Sequence, residues 1–113
     1  MKKSKYNNIK TVIDGITFAS KREAKRYQEL KLLEQGKAIS NLQLQVACTL
    51  IPAQKGGIRN EMAVKYIADF MYFDIEIKKI IIEDVKGKAT PIYILKRKLM
   101  KHLGFEITET KKE

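Results

Sequence analysis

The stretch IIIEDVKGKATP, residues 80–91, decides how the rest of the chain is read. Three consecutive isoleucines read as a buried β-strand. That strand runs on into Glu83, Asp84, Val85 and Lys86, so it carries charge into its own end. Gly87 releases it, and Thr90-Pro91 has the form of a helix start, with Thr90 as N-cap and Pro91 at the first helical position. The helix is expected over 91–103, with Gly104 as its stop. On a strand, residues two apart share a face. Asp84 and Lys86 therefore point one way, and Glu83 and Val85 the other.

Working upstream, EMAVKYIADFMYF (61–73) is long and rich in β-formers, and residues 74–79 turn the chain between it and the isoleucine strand. NLQLQVACTLIP (41–52) alternates: Leu42, Leu44, Val46, Cys48 and Leu50 are expected on one face, Gln43, Gln45, Ala47 and Thr49 on the other. Pro52 ends that strand and Lys55-Gly56-Gly57 makes a turn. Ser20-Lys21-Arg22-Glu23 has the S-x-x-E form of a capping box, which predicts a helix over 20–35 with Ala24, Tyr27, Leu30 and Leu33 inward and Gly36 as the stop. Asp14-Gly15 between short apolar runs signals a small hairpin. FEITE (105–109) completes the set as a last strand. Residues 1–10 read as a flexible basic arm and 110–113 as a tail around a single domain. The three middle strands are expected to form an antiparallel meander, and the second helix to carry the chain to the fourth strand, an α/β arrangement.

The 113 residues suit one domain that needs no disulfide, and the lone Cys48 is expected as core packing in a reducing compartment. No apolar run reaches the roughly 20 residues of a membrane span, and no signal-peptide pattern follows the basic start, so a cytoplasmic protein is expected. The formal net charge is +10, with Lys86, Lys88, Lys96, Arg97, Lys98 and Lys101 unrelieved by any acid between them. Such self-repulsion is relieved by a polyanion, which points to nucleic acid; the plainer reading is a soluble basic surface.

A turn centred on residues 76 and 77 sets Asp69 opposite Asp84, with their Cβ atoms about 5 Å apart. Two like charges at that spacing destabilise a sheet, and unpaired carboxylates among apolar neighbours are costly. A divalent cation resolves the conflict. Mg²⁺ takes hard oxygen ligands, one or two carboxylates, waters and substrate phosphate oxygens. Lys86 adds positive charge beside it, and these parts suit phosphodiester hydrolysis. The plainer alternative for Asp84 and Lys86 is a surface pair on an edge strand. Glu23 has two readings as well: the third residue of a capping box, or an inward acid on the face of Tyr27 and Leu30 that reaches the same site. Gln43 or Gln45 lines that site from the neighbouring strand or faces solvent. His102 reads as a helix-end residue rather than a ligand.

These residues and their order resemble the PD-(D/E)XK nuclease superfamily, whose core runs αβββαβ. That order implies a central mixed sheet flanked by helices. The superfamily signature, an acid on the second core strand and (D/E)-x-K on the third, falls on Asp69 and on Asp84-Val85-Lys86, with Glu23 from the first helix. Ala68 stands where the motif has its proline. More closely, GITFASKREAKRYQELKLLEQG, LQLQ, YIADF, EDVKG and TPIYILKRKLM resemble small phage-encoded proteins of that nuclease group, related in layout to phage Holliday-junction resolvases. The likeness covers roughly residues 5–109. It implies an Mg²⁺-dependent endodeoxyribonuclease, with Mn²⁺ able to substitute, whose catalytic residues are Glu23, Asp69, Asp84 and Lys86. Asp69, Asp84, Glu23 and the Val85 carbonyl are the implied metal ligands. Lys21, Lys25, Lys88, Thr90, Lys96 and Lys98 are the expected DNA contacts, and branched or recombination intermediates the expected substrates. Cutting both strands is compatible with a homodimer. The alternative is a nucleic-acid-binding protein of the same fold that does not cut, with a packaging or regulatory role.

Overall fold

The computed structural model describes residues 10–85 and 89–110. Its elements are β1 (Thr11–Ile13), β2 (Ile16–Phe18), α1 (Lys21–Gln35), β3 (Ile39–Ile51), β4 (Val64–Asp74), β5 (Lys79–Asp84), α2 (Pro91–His102) and β6 (Ile107–Glu109). The basic arm expected at 1–10 lies, except for Lys10, outside the described residues, as do Lys86, Gly87, Lys88 and residues 111–113. No helix among the described residues is long and apolar enough to cross a membrane.

Local chemistry sets each boundary. Asp14 and Gly15 both take positive φ (54° and 75°), the demand of a two-residue hairpin turn that asparagine, aspartate and glycine meet most easily. The hairpin is pinned to α1 by the Tyr27 hydroxyl, which donates to Asp14 Oδ2 at 2.9 Å. Ser20 caps α1, its hydroxyl accepting from Glu23 N at 3.2 Å. The far end falls at Gln35 with Gly36 as C-cap, as expected, but the glycine is not the left-handed residue. Gly36 has φ −80°, and it is Lys37, with φ 62°, that makes the left-handed exit. Ala38 N bonds Leu33 O and Lys37 N bonds Glu34 O, the paired bonds of a Schellman close. Thr90 caps α2 as expected, accepting from Tyr93 N at 3.1 Å.

The four long-range strands form one mixed sheet in the order β3-β4-β5-β6. β3, β4 and β5 are an antiparallel meander, and β6 returns through α2 to pair parallel with β5. Phe70 faces Glu83 in the β4–β5 ladder, the register that the turn position predicted. Thr110, expected as the first residue of the tail, is held by the fold. Thr110 donates its N–H to Asp84 O and accepts from Arg22 Nη2 on its carbonyl, so β6 is tied in at its end.

Two apolar clusters cover the sheet. One gathers Tyr27 and Leu30 of α1 with Phe70 and Tyr72; the other gathers Met100 of α2 with Tyr66, Ala68 and Ile82. Met71, between Phe70 and Tyr72, belongs to the second, so the two helices lie on opposite faces. This corrects the expectation that Leu42 through Leu50 share one face. Leu42 and Leu44 pack with the α1 cluster, Val46 and Cys48 with the α2 cluster. The phase reverses at Gln45, whose φ is 52° in the middle of the strand. Across the ladder the same reversal falls between Ala68 and Phe70, at Asp69.

Candidate active site

That reversal is where the candidate site lies. A strand whose side chains change faces leaves one residue on each side of the ladder pointing at neither core, and here those residues are Gln45 and Asp69. Left-handed backbone at a non-glycine residue is costly, about 1–2 kcal/mol, and such strain collects at functional positions. Gln45 Nε2 donates to Glu23 Oε2 at 3.1 Å and reaches Asp69 Oδ1 at 3.5 Å. It therefore links the first turn of α1 to the middle of β4. Of the two glutamines considered, Gln45 lines the site.

Asp69 is held by backbone. The β4–β5 ladder ends at Phe70 and Glu83, and the N–H of Val85, just beyond β5, donates to Asp69 Oδ2 at 2.7 Å. The carboxylate thus stands in for the strand partner that Val85 no longer has, which fixes Asp69 beside the end of β5. Asp84, at that end, accepts on Oδ2 from the Tyr66 hydroxyl at 2.6 Å. Its other neighbour is β6, with Glu109 alongside. Glu23 sits in the first turn of α1 below the Ser20 cap, and its carboxylate meets Gln45 rather than closing the reciprocal half of the capping box.

The electrostatics follow from this crowding. Burial raises the Glu23 carboxyl, and the charges of Asp69 and Asp84 raise it further, to about 7, against a smaller lowering by the Gln45 amide. Burial likewise pushes Asp69 up to about 6; the Val85 N–H opposes this and the Asp84 charge adds to it. Among the described residues no three His, Cys, Asp or Glu side chains form a ready-made ligand shell for a metal ion. What the chain offers is a pair of strand carboxylates, with Glu23 coupled to them electrostatically.

Glu83, one residue before Asp84, points into the α1 side and is 1 % exposed. Arg26 grips it with Nε at 2.6 Å and Nη2 at 3.0 Å, the Tyr72 hydroxyl donates at 2.7 Å, and the Thr110 hydroxyl donates as well. Burial pushes this carboxyl up, but the bonds from Arg26, Thr110 and Tyr72 outweigh it and hold it below the ordinary range. Arg26, Tyr66, Tyr72 and Thr110 were not singled out by the sequence reading. The available signal was Glu83 itself: an acid on the inward face of a buried strand demands a charged partner.

The remaining expected residues fall as follows. Lys86 and Lys88 lie outside the described residues. Lys21 and Lys25 are exposed on α1, four residues apart and so on one face. Lys96 and Lys98, two apart on α2, project in widely different directions and do not share a face. Arg97 is engaged with Glu109 at 3.7 Å and lies over the Tyr93 ring. His102 is the last residue of α2.

No curated protein and no solved structure matches the chain. A family model does, described as Protein of unknown function (DUF1064), over residues 3–111. That span takes in the hairpin, both helices and every strand of the main sheet, and the chain therefore belongs to the DUF1064 family.

Proposed function

We propose that this protein is a metal-dependent DNA endonuclease with a PD-(D/E)XK nuclease-like core and with Glu23, Asp69, Asp84 and Lys86 as its catalytic residues. The observation that carries the reading is the Gln45 amide set between Glu23 of α1 and Asp69 of β4, with Asp84 at the end of β5 near enough for its charge to raise both acids. Acids that only repelled a polyanion would be a liability on a chain of net charge +10. Acids that repel one another on a chain of such positive charge suit cation-assisted phosphate chemistry.

The donor set fits Mg²⁺ or Mn²⁺: oxygen donors alone, two adjacent carboxylates, and room in the coordination sphere for water and phosphate. Asp69 and Asp84, with the Val85 carbonyl and with Glu23 nearby, would hold it. When bound, such an ion polarises a phosphoryl oxygen and makes its bound water more acidic. The chain's own residues supply the rest. The Val85 N–H fixes Asp69 through Oδ2 and the Tyr66 hydroxyl fixes Asp84 through its own Oδ2, which orients the two carboxylates. Glu23, ionising near neutrality, can take a proton from an attacking water at its carboxylate and return it. Gln45 holds that carboxylate toward Asp69. Lys86 is assigned to the developing phosphate charge. Lys21 and Lys25 are suited to the DNA backbone from one face of α1. The N-terminus of α2 is a second phosphate site, where Thr90 caps with its oxygen and keeps a hydroxyl proton to donate.

The test is cleavage of supercoiled, linear, nicked, flapped and four-way DNA with Mg²⁺ or Mn²⁺, comparing wild type with Asp84→Ala and Lys86→Ala. Cutting that falls by about a hundredfold or more in either variant, with DNA binding retained, is the expected result. A wild-type protein that binds these substrates and cuts none of them assigns the chain to the non-catalytic alternative.

A further inference from the structure

We infer that Arg22, Arg26, Glu83 and Thr110 form a polar latch that sets the place of Glu23 against Asp69 and Asp84. They are positioning residues for the activity proposed above, and the inference rests on that reading of Glu23. Arg22 and Arg26 bracket Glu23 in the first two turns of α1. Arg22 Nη2 donates to Thr110 O at 3.1 Å, and Arg26 forks onto both oxygens of Glu83. Thr110 closes the loop: its hydroxyl donates to Glu83 and its N–H to the carbonyl of Asp84. Three bonds therefore leave the helix turns that flank Glu23, and two more tie Thr110 to Glu83 and Asp84 at the end of β5.

The apolar contacts of α1 with Ile81 of β5 and with Val85 just beyond it are partly buried and non-directional. A bidentate arginine–carboxylate pair is directional: its two parallel bonds fix angle as well as distance. Glu83 and Asp84 are consecutive on β5, so whatever fixes the one fixes the other on the opposite face. Nothing in the chemistry above uses the Glu83 carboxylate, and a buried acid there would otherwise be a poor substitute for an apolar residue.

Two mild variants test this: Arg26→Lys, which keeps the charge and loses the fork, and Thr110→Val, which keeps the shape and loses the hydroxyl. A metal-free readout comes first. In folded wild type, NMR should show contacts from the Gln45 side-chain amide to the Glu23 methylenes. In either variant these should weaken or vanish while contacts of the same amide to Asp69 persist. Unchanged Glu23 contacts in a folded variant overturn the latch, whether or not the protein cuts DNA. The kinetic readout is a double-mutant cycle. Each variant should lower kcat about tenfold or more with KM for DNA little changed. In a Glu23→Gln background the same change should cost less than about twofold, because a group that acts through Glu23 has nothing left to position. An equal fall in both backgrounds makes the latch a general scaffold and overturns the inference. A wild type that cuts nothing removes the enzyme reading, and the NMR contacts then decide the latch alone.

Discussion

Gln45 has a backbone that a glutamine adopts only at a cost, in exchange for an amide placed between two acids. Gln45→Gly should relieve the left-handed strain of about 1–2 kcal/mol while giving back up to about 1 kcal/mol in chain entropy. Its denaturant stability is therefore expected at or slightly above wild type, and its cleavage rate below it. A marked loss of stability would show that the amide, not the strain, dominates there. The acids make a pH prediction. Glu23 and Asp69 bind protons more tightly folded than unfolded, having risen from 4.5 to about 7 and from 3.8 to about 6. The stability they contribute is complete below about pH 4 and is lost as pH rises through about 6 and then about 7. Without metal, the melting temperature should fall across that window, and Glu23→Gln should flatten the upper part of the fall. Mg²⁺ should raise the melting temperature most at the alkaline end, where the carboxylates are charged. A melting profile in Glu23→Gln identical in slope to wild type would contradict the assignment.

At the scale of elements, most boundaries were legible because short-range chemistry sets them. Ser20, Thr90-Pro91 and Asp14-Gly15 each act within a few residues, and each does what its type dictates. The end of α1 falls at Gln35 with Gly36 as its cap, as expected, but the left-handed residue lies one position further on. Glycine is favoured at the left-handed exit, yet Gly36 sits one position early and Lys37 takes the exit. Exchanging the two should stabilise the helix end. A Cβ on Gly36 would meet nothing closer than Leu32 O at 3.4 Å, and glycine at 37 would carry no left-handed penalty. Gly36→Ala with Lys37→Gly is expected to gain about 1 kcal/mol in urea unfolding. Thr90→Ala should lose about 1 kcal/mol through its missing cap, checked in the same experiment. The β3 alternation misled because a period of two assumes unbroken strand geometry, and a single left-handed residue reverses every side chain beyond it.

For the whole molecule, charge makes the prediction. DNA affinity should fall steeply with salt, with a logarithmic slope near −0.9 for each phosphate neutralised. Lys21→Ala with Lys25→Ala should reduce that slope by about 2, since both project from one face of α1. Lys96→Ala with Lys98→Ala should reduce it by about 1, since only one of the pair can follow the same backbone. Equal reductions would place both faces of α2 against DNA.

The elements, their order and the β4–β5 register follow from the chain alone. Helix starts, turns and strand register depend on near neighbours and on counting across one hairpin. That β3 and β4 reverse their faces at Gln45 and Asp69 emerges only in the folded chain. So does the clasp of Arg26, Tyr72 and Thr110 on Glu83, and the move of Glu23 from its capping box to Gln45. Those partners lie 11 to 57 residues apart along the chain. Such pairings come from how α1 and β6 dock on the sheet, where a buried charge must find whatever donors the packing brings, and no local pattern in the chain encodes that choice.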